Sequence, residues 1–159
     1  MTKRSVFLEE EEDLLEEEDL EELEDDEEGE DGEDDEEEFG EEYDSEERVQ
    51  MMAQAADSLK GVDIIALDLR ELTIISDFFL ICTGNSSIHI RSIADRVDER
   101  MSELGLDKFH SEGYKEATWV LLDYGDIVVH VMSAEQREFY NIEKFWAKAP
   151  LFELELLPA

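Results

Sequence analysis

The stretch ATWVLLDYGDIVVHVM (Ala117–Met132) decides the fold of this chain. Two apolar runs rich in β-branched residues flank Tyr124-Gly125, where glycine accepts a positive φ and Asp123 can bond to the backbone of a turn. The pattern therefore predicts a β-hairpin.

The first strand of this hairpin presents two different faces. Trp119, Leu121 and Asp123 fall on one face, and the residues between them fall on the other. A domain this small needs one face for its core, so we expect the face with Trp119 to be available to a partner. Trp and Tyr contribute much of the binding energy in protein interfaces. The alternative, in which Trp119 covers the core, stays open at this point.

Charge is distributed unevenly along the 159 residues. Residues 1–47 hold 29 acids and two bases, a net charge of −27, whereas the remainder has a net charge of −8. Low hydrophobicity with high net charge cannot offset the entropy of ordering. We therefore expect a disordered acidic tail over residues 1–45, one domain over residues 46–150, and a short extension over residues 151–159.

Composition also limits the kinds of partner and the cellular compartment that we expect for this chain. Acidic balance disfavours nucleic acid as the main contact, because phosphates repel it, and favours a basic protein surface. The single Cys82 excludes an intrachain disulfide and fits a reducing compartment. No apolar run approaches the roughly 20 residues that span a bilayer. We expect a cytoplasmic chain without a membrane contact.

Before the hairpin, the patterns predict two helices and two strands. Ser45 is placed to cap a helix that ends at Lys60-Gly61. VDIIALDL (Val62–Leu69) and DFFLICT (Asp77–Thr83) follow as strands, and their short link makes them antiparallel if they are neighbours. A second helix begins after a cap at Ser86 or Ser87.

The connections between these elements indicate a mixed sheet. The passage from Cys82 to Trp119 is long enough for a right-handed parallel crossover. After the hairpin, Ser133 is placed to cap a short helix from Ala134, and Phe145-Trp146 are expected to close an edge of the core. The predicted fold class is α/β in the broad sense, or α+β by strict topology, with helices packed on a mixed sheet.

Catalytic signals in the sequence are weak. The loop Thr83–Ser87 lies between a strand and a helix and could cradle a phosphate, but it lacks a P-loop lysine and a dinucleotide fingerprint. A nucleotidyltransferase would need closely spaced carboxylates to hold Mg²⁺, and Asp123 and Asp126 lie across a turn instead. We favour a structural role for the loop.

The histidines and the cysteine also favour structural roles. His89, His110 and His130 have no partner at metal-ligand spacing, and His130 is expected to be packed and hydrogen-bonded in its strand. Cys82 lies in an apolar strand without an evident base to activate it. We predict no catalytic residue, no metal and no cofactor.

Residues 46–147 resemble the ribosomal silencing factor family, RsfS, whose members are also called Iojap-related proteins. The resemblance is carried by a series of short runs in order along the chain: DIIALD (63–68), SDFF (76–79), CTGNSS (82–87), SIAD (92–95), EG (112–113), WVLLDYGD (119–126), VVHV (128–131), Arg137, FY (139–140) and IEKFW (142–146). The acidic tail and the residues after Trp146 lie outside the match.

The resemblance implies a fold related to nucleotidyltransferases but lacking their metal-binding carboxylates. It also implies a translation repressor that binds ribosomal protein number fourteen of the large subunit (L series) and blocks joining of the small subunit under nutrient limitation. The residues expected to bind the partner are the hairpin tryptophan, four of its neighbours and one upstream acid: Trp119, Leu121, Asp123, Tyr124, Asp126 and Glu112.

Two other functions stay open beside this one. The first is a nucleotide-binding enzyme of nucleotidyltransferase type, which would act at the Thr83–Ser87 loop. The second is an acidic decoy or chaperone that binds basic proteins through its tail. Whether the free protein is a monomer or a homodimer also stays open.

Overall fold

The computed structural model describes residues 43–156, so the predicted tail lies outside the described residues except for its last three positions. The helices are α1 (Ser45–Ser58), α2 (Ser87–Glu103), α3 (Ala134–Tyr140) and α4 (Ile142–Phe145). The strands are β1 (Val62–Asp68), β2 (Phe78–Thr83), β3 (His110–Glu112), β4 (Trp119–Asp123), β5 (Ile127–Met132) and β6 (Leu151–Phe152). They form one sheet in the order β3-β4-β5-β2-β1-β6.

The sheet is mixed, as predicted. β4 and β5 form the expected hairpin, whose turn places Gly125 at φ 87°. β1 and β2 are antiparallel, which confirms the interpretation of their short link. Only the pair β2–β5 is parallel among the strands of residues 43–156.

The crossover that begins at Cys82 was predicted to end in the strand that starts at Trp119, and this prediction is wrong. The strand after α2 is β3, which the sequence pattern did not reveal because it is only three residues long. β3, β4 and β5 then form an antiparallel meander. β5 therefore lies parallel to β2, whereas β4, which begins at Trp119, runs in the opposite direction.

Helix caps follow the expected chemistry with two corrections. Asp44, not Ser45, caps α1, because its carboxylate accepts the Glu47 N–H at 2.8 Å while the Glu47 side chain accepts the Asp44 N–H. The helix was predicted to end at Lys60-Gly61; α1 ends at Ser58, and Lys60 (φ 63°) rather than the following glycine has the left-handed conformation. The predicted caps at Ser86 and Ser133 are confirmed, each accepting an N–H at 3.1 Å.

Both faces of the sheet are buried. α1 and α2 cover one face, where a core forms around residues such as Met52, Phe78 and Ile93. A second cluster on the other face contains Trp119, and residues from α4 to Ala149 pack over it. The expectation that the Trp119 face is open is therefore wrong, because the segment after β5 folds back over it.

The residues after Ala149 are part of this packing. β6 adds a sixth strand beside β1, with Ala66 paired to Phe152. Leu154 and Leu156 pack against the core on the α1 side. The backbone of Glu155 is bonded in both directions to the Gln50 side chain, at 2.6 and 3.0 Å. No helix within residues 43–156 is long and apolar enough to cross a membrane.

Candidate functional site

The six residues predicted to bind a partner do not form one surface. Glu112, Leu121, Trp119 and Asp123 follow the same face of β3 and β4, since Glu112 pairs with Leu121 across the two strands. Tyr124 belongs instead to the core on the α1–α2 side. Four of the six side chains are buried: Glu112, Trp119, Leu121 and Tyr124.

Trp119 lies in the second cluster and is only 8% exposed. Its indole N–H donates to Nδ1 of His130 at 3.1 Å, which confirms the prediction of a packed, hydrogen-bonded histidine. The ring of Tyr140, at the end of α3, lies over the indole with centroids 4.9 Å apart. Trp119 itself is therefore largely covered, and the ring exposed at this position is that of Tyr140.

α3 presents two exposed aromatic side chains next to this tryptophan. Tyr140 is 49% exposed and Phe139 is 78% exposed. Their rings meet edge to face at 4.9 Å. We call Trp119, Phe139 and Tyr140 the aromatic surface. The hairpin sequence alone could not reveal it, because two of its members come from a helix outside the hairpin.

Arg137 fixes α3 in place, and its role was not apparent from sequence patterns. Its guanidinium donates to the Glu143 carboxylate at 2.9 Å, to the Asp63 carbonyl at 2.8 Å and to the Thr83 hydroxyl at 3.0 Å. The Arg137 side chain is only 12% exposed. It thus joins α3 and α4 to β1 and β2, and orients the helix that carries the aromatic surface.

Glu112 forms a buried pair with a histidine. Its carboxylate lies 2.9 Å from Nε2 of His110, and both residues are almost completely buried on β3. Burial of a carboxylate is costly unless it is hydrogen-bonded. This contact explains the burial of Glu112, and its carboxylate does not face solvent.

The acids of the hairpin turn are used inside the fold. The Asp123 carboxylate accepts the Gly125 N–H at 2.8 Å. Asp126 forms a two-pronged ion pair with Arg48 of α1, one contact of which is 2.9 Å. Tyr124 donates its hydroxyl to Asp98 at 2.8 Å, and burial together with that acid raises the pKa of Tyr124. These contacts tie the turn to both helices of its face.

Local contacts favour the structural interpretation of the Thr83–Ser87 loop. The N–H of Gly84 is bonded to the Met132 carbonyl, and that of Asn85 is bonded to Nδ1 of His89. A Cβ on Gly84 would lie 2.6 Å from the Ile90 side chain, so glycine is needed for α2 to approach. N–H groups that already have acceptors are poorly placed to cradle a phosphate. Among residues 43–156, no group of three or more His, Cys, Asp or Glu side chains is arranged to hold a metal ion.

The family model "Ribosomal silencing factor during starvation" matches residues 42–159. The chain belongs to the RsfS family. The match extends past Trp146 to residues that the sequence resemblance had left out, in agreement with the packing of β6 and the leucines that follow it.

Curated RsfS relatives align with most of the chain. A protein named ribosomal silencing factor RsfS from Halalkalibacterium halodurans is 41% identical over 111 residues, which are 70% of this chain and 95% of that protein. Its Bacillus subtilis namesake is 41% identical over 107 residues, 67% of this chain and 91% of that protein. The chloroplastic protein Iojap of Zea mays is 38% identical over 103 residues, 65% of this chain and 45% of that protein.

Solved structures of similar chains share the RsfS-family fold. A crystal structure of a protein from Chromobacterium violaceum matches with a TM-score of 0.65 at 36% identity, covering 66% of this chain and 88% of that one. A second, from Bacillus halodurans, matches with a TM-score of 0.62 at 39% identity, covering 69% of this chain and all of that one.

The cysteine of this RsfS-family domain is predicted to be unreactive while the domain is folded. Cys82 is fully buried in β2, and burial raises the pKa of its thiol to about 12. At pH 8 the thiol would then be almost entirely protonated, and thiolate is the reactive form. We expect 5,5′-dithiobis-(2-nitrobenzoic acid) to label no thiol in the native protein and one in guanidinium chloride. Rapid labelling without denaturant would contradict this placement.

Proposed function

We propose that this chain is a translation repressor that works without catalysis. It binds the large ribosomal subunit through ribosomal protein number fourteen of the L series, at the face that meets the small subunit, and thereby prevents the two subunits from joining. The names of its relatives, which are ribosomal silencing factors, support the ribosome as target. Blocking requires only a bound folded domain.

The observation that carries the choice of binding surface is the exposure of Phe139 and Tyr140 over Trp119. Large aromatic side chains are usually buried to a large extent. Two neighbouring rings that are 78% and 49% exposed are therefore unusual. Aromatic residues are enriched at the centres of interfaces, where they provide large areas at a low entropic cost. The Tyr140 ring is already held against Trp119, and the Arg137 contacts fix the helix that carries it, so binding would order this ring little further.

Charge around these rings favours a basic partner. Glu135 and Glu138 are exposed on α3 itself, and the domain from residue 48 onward carries a net charge of −8. Opposite potentials accelerate encounter and orient the partner. The predicted hairpin acids lie at the opposite end of β4 from Trp119, and their carboxylates hold the turn, so we assign the direct contacts to the aromatic surface.

A substitution at Tyr140 tests this assignment. We expect Tyr140→Ala to weaken binding to purified large subunits by about 30-fold or more, since an interface aromatic contributes about 2 kcal/mol or more. The variant should also fail to inhibit subunit joining. Binding is measured by sedimentation with separated subunits, and joining by sucrose gradients after the small subunit is added.

The matched control is Tyr114→Ala, since Tyr114 is 43% exposed and its hydroxyl is bonded to Asp95 of α2, on the other side of the sheet. It should bind as the unmodified chain does. Circular dichroism establishes that both variants are folded. Wild-type affinity of a folded Tyr140→Ala variant would refute the aromatic surface, and failure of the unmodified chain to bind large subunits would refute the proposed function.

A further inference from the structure

A second exposed apolar surface lies at the end of the sheet where the hairpin turn is found. It consists of Ile74 and Ile75 in the β1–β2 loop, Phe109 just before β3, and a groove beside the turn. We call these the sheet-end surface. We propose that it binds a basic protein segment of the large subunit that inserts an apolar side chain into the groove, an inference that rests on the proposed function.

The two isoleucines are exposed on a loop that is held by its own hydrogen bonds. Ile74 is fully exposed and Ile75 is 80% exposed. The loop closes through N–H groups of Leu72 and Thr73 that donate to the Leu69 carbonyl, and the Ile75 N–H donates to the Thr73 hydroxyl. Adjacent branched apolar side chains on an ordered loop are poorly explained by folding, which gains nothing from their exposure.

Phe109 lies over the hairpin turn and forms one wall of the groove. It is 74% exposed, and its ring edge is 2.9 Å from where a Cβ on Gly125 would lie. The groove has a volume of about 460 Å³, and its lining includes Met52, Met101, Leu106 and Phe109. This is room for one large apolar side chain.

The loop and the groove belong to the same surface because Asp126 contacts both. Asp126 lines the groove. Its backbone carbonyl accepts the Ser76 hydroxyl at 3.1 Å and the Asp77 N–H at 2.7 Å, directly after Ile75. A bound segment could therefore contact the isoleucines and fill the groove together.

Charge at the sheet end selects the kind of partner. Glu71 and Asp77 flank the isoleucines, and neither carboxylate contacts a cation within residues 43–156. Asp107 adds a third acid at the groove, where Arg48 is already paired with Asp126. Such a rim repels RNA phosphates and a second copy of this acidic chain, and attracts Lys and Arg.

Photo-crosslinking tests the proposal and separates it from the proposed function. p-Benzoylphenylalanine is placed at Ile75 in one variant and at Tyr140 in another, and each is irradiated with purified large subunits. We expect both positions to crosslink to ribosomal protein, and we expect the segment crosslinked to position 75 to be basic. A crosslink at Tyr140 with none at Ile75, or with only RNA at Ile75, overturns the second surface and leaves the proposed function standing. No crosslink from either position overturns both.

Affinity provides an independent measurement. The double variant Ile74→Ser/Ile75→Ser should bind large subunits at least about fivefold more weakly, because apolar anchors dominate interface energies. The matched control is Ile88→Ser, since Ile88 is 73% exposed at the start of α2, at the opposite end of β2. Neither change touches a buried side chain, so both proteins should fold. Equal affinities for the double variant and the control would overturn the proposal.

Discussion

Replacing Trp119 with alanine is expected to lower the free energy of unfolding by about 3–5 kcal/mol, the range observed for truncating a buried aromatic side chain. The indole fills the second cluster under Tyr140 and is only 8% exposed. Its loss also removes the donor to His130 Nδ1, leaving a buried acceptor without that bond. Urea unfolding monitored by circular dichroism measures the change.

A conservative variant separates packing from hydrogen bonding. Trp119→Phe keeps most of the ring volume but loses the indole N–H, so we expect a smaller loss of about 1–2 kcal/mol. Trp119→Ala is consequently a poor probe of ribosome binding, because it alters the domain as well as the surface. An alanine variant within about 1 kcal/mol of the unmodified chain would show that the cluster does not depend on this residue.

Replacing Arg137 with methionine is the second change with a large expected effect, about 2–4 kcal/mol of unfolding free energy. Methionine keeps much of the apolar stem but leaves the Thr83 hydroxyl and the Asp63 carbonyl without their donor. Glu143 loses its partner as well, although that side chain is 36% exposed and water limits the cost. Chemical unfolding again provides the measurement.

Arg96→Met is the matched control for this change. Arg96 also forms a 2.7 Å ion pair, with Glu99, but both side chains are well exposed on α2. Exposed pairs contribute about 0–1 kcal/mol. Arg137→Lys should recover little stability, because an ammonium cannot reproduce the planar contacts of a guanidinium. Equal losses for Arg137→Met and Arg96→Met would contradict the structural role given to Arg137.

Much of the fold was predictable because the patterns are local. The hairpin is marked by two apolar runs around Tyr124-Gly125, and the caps at Ser86 and Ser133 by their position before helical stripes. Short elements were not predictable in this way. β3 and β6 contain three and two residues, too few for a periodic pattern, and they exist because a neighbouring strand offers hydrogen bonds.

The candidate site was harder to predict, since it combines distant parts of the chain. Trp119 was identified, but its exposure was overestimated, because alternation along β4 says nothing about what covers each face. The cover comes from the segment after β5, where Arg137 bonds to β1 and β2. Similarly, the predicted binding acid Asp126 has a partner on α1, and no spacing rule connects position 48 with position 126.

The pairing of β6 with β1 has a consequence for synthesis of the protein. The outer hydrogen-bonding edge of β1 has no partner strand until Leu151 and Phe152 have left the ribosome, because Ala66 pairs with Phe152. Unpaired strand edges are templates for aggregation. A nascent chain that stalls before Leu151 would expose that edge, so a pause in translation at that point should increase the demand for chaperones.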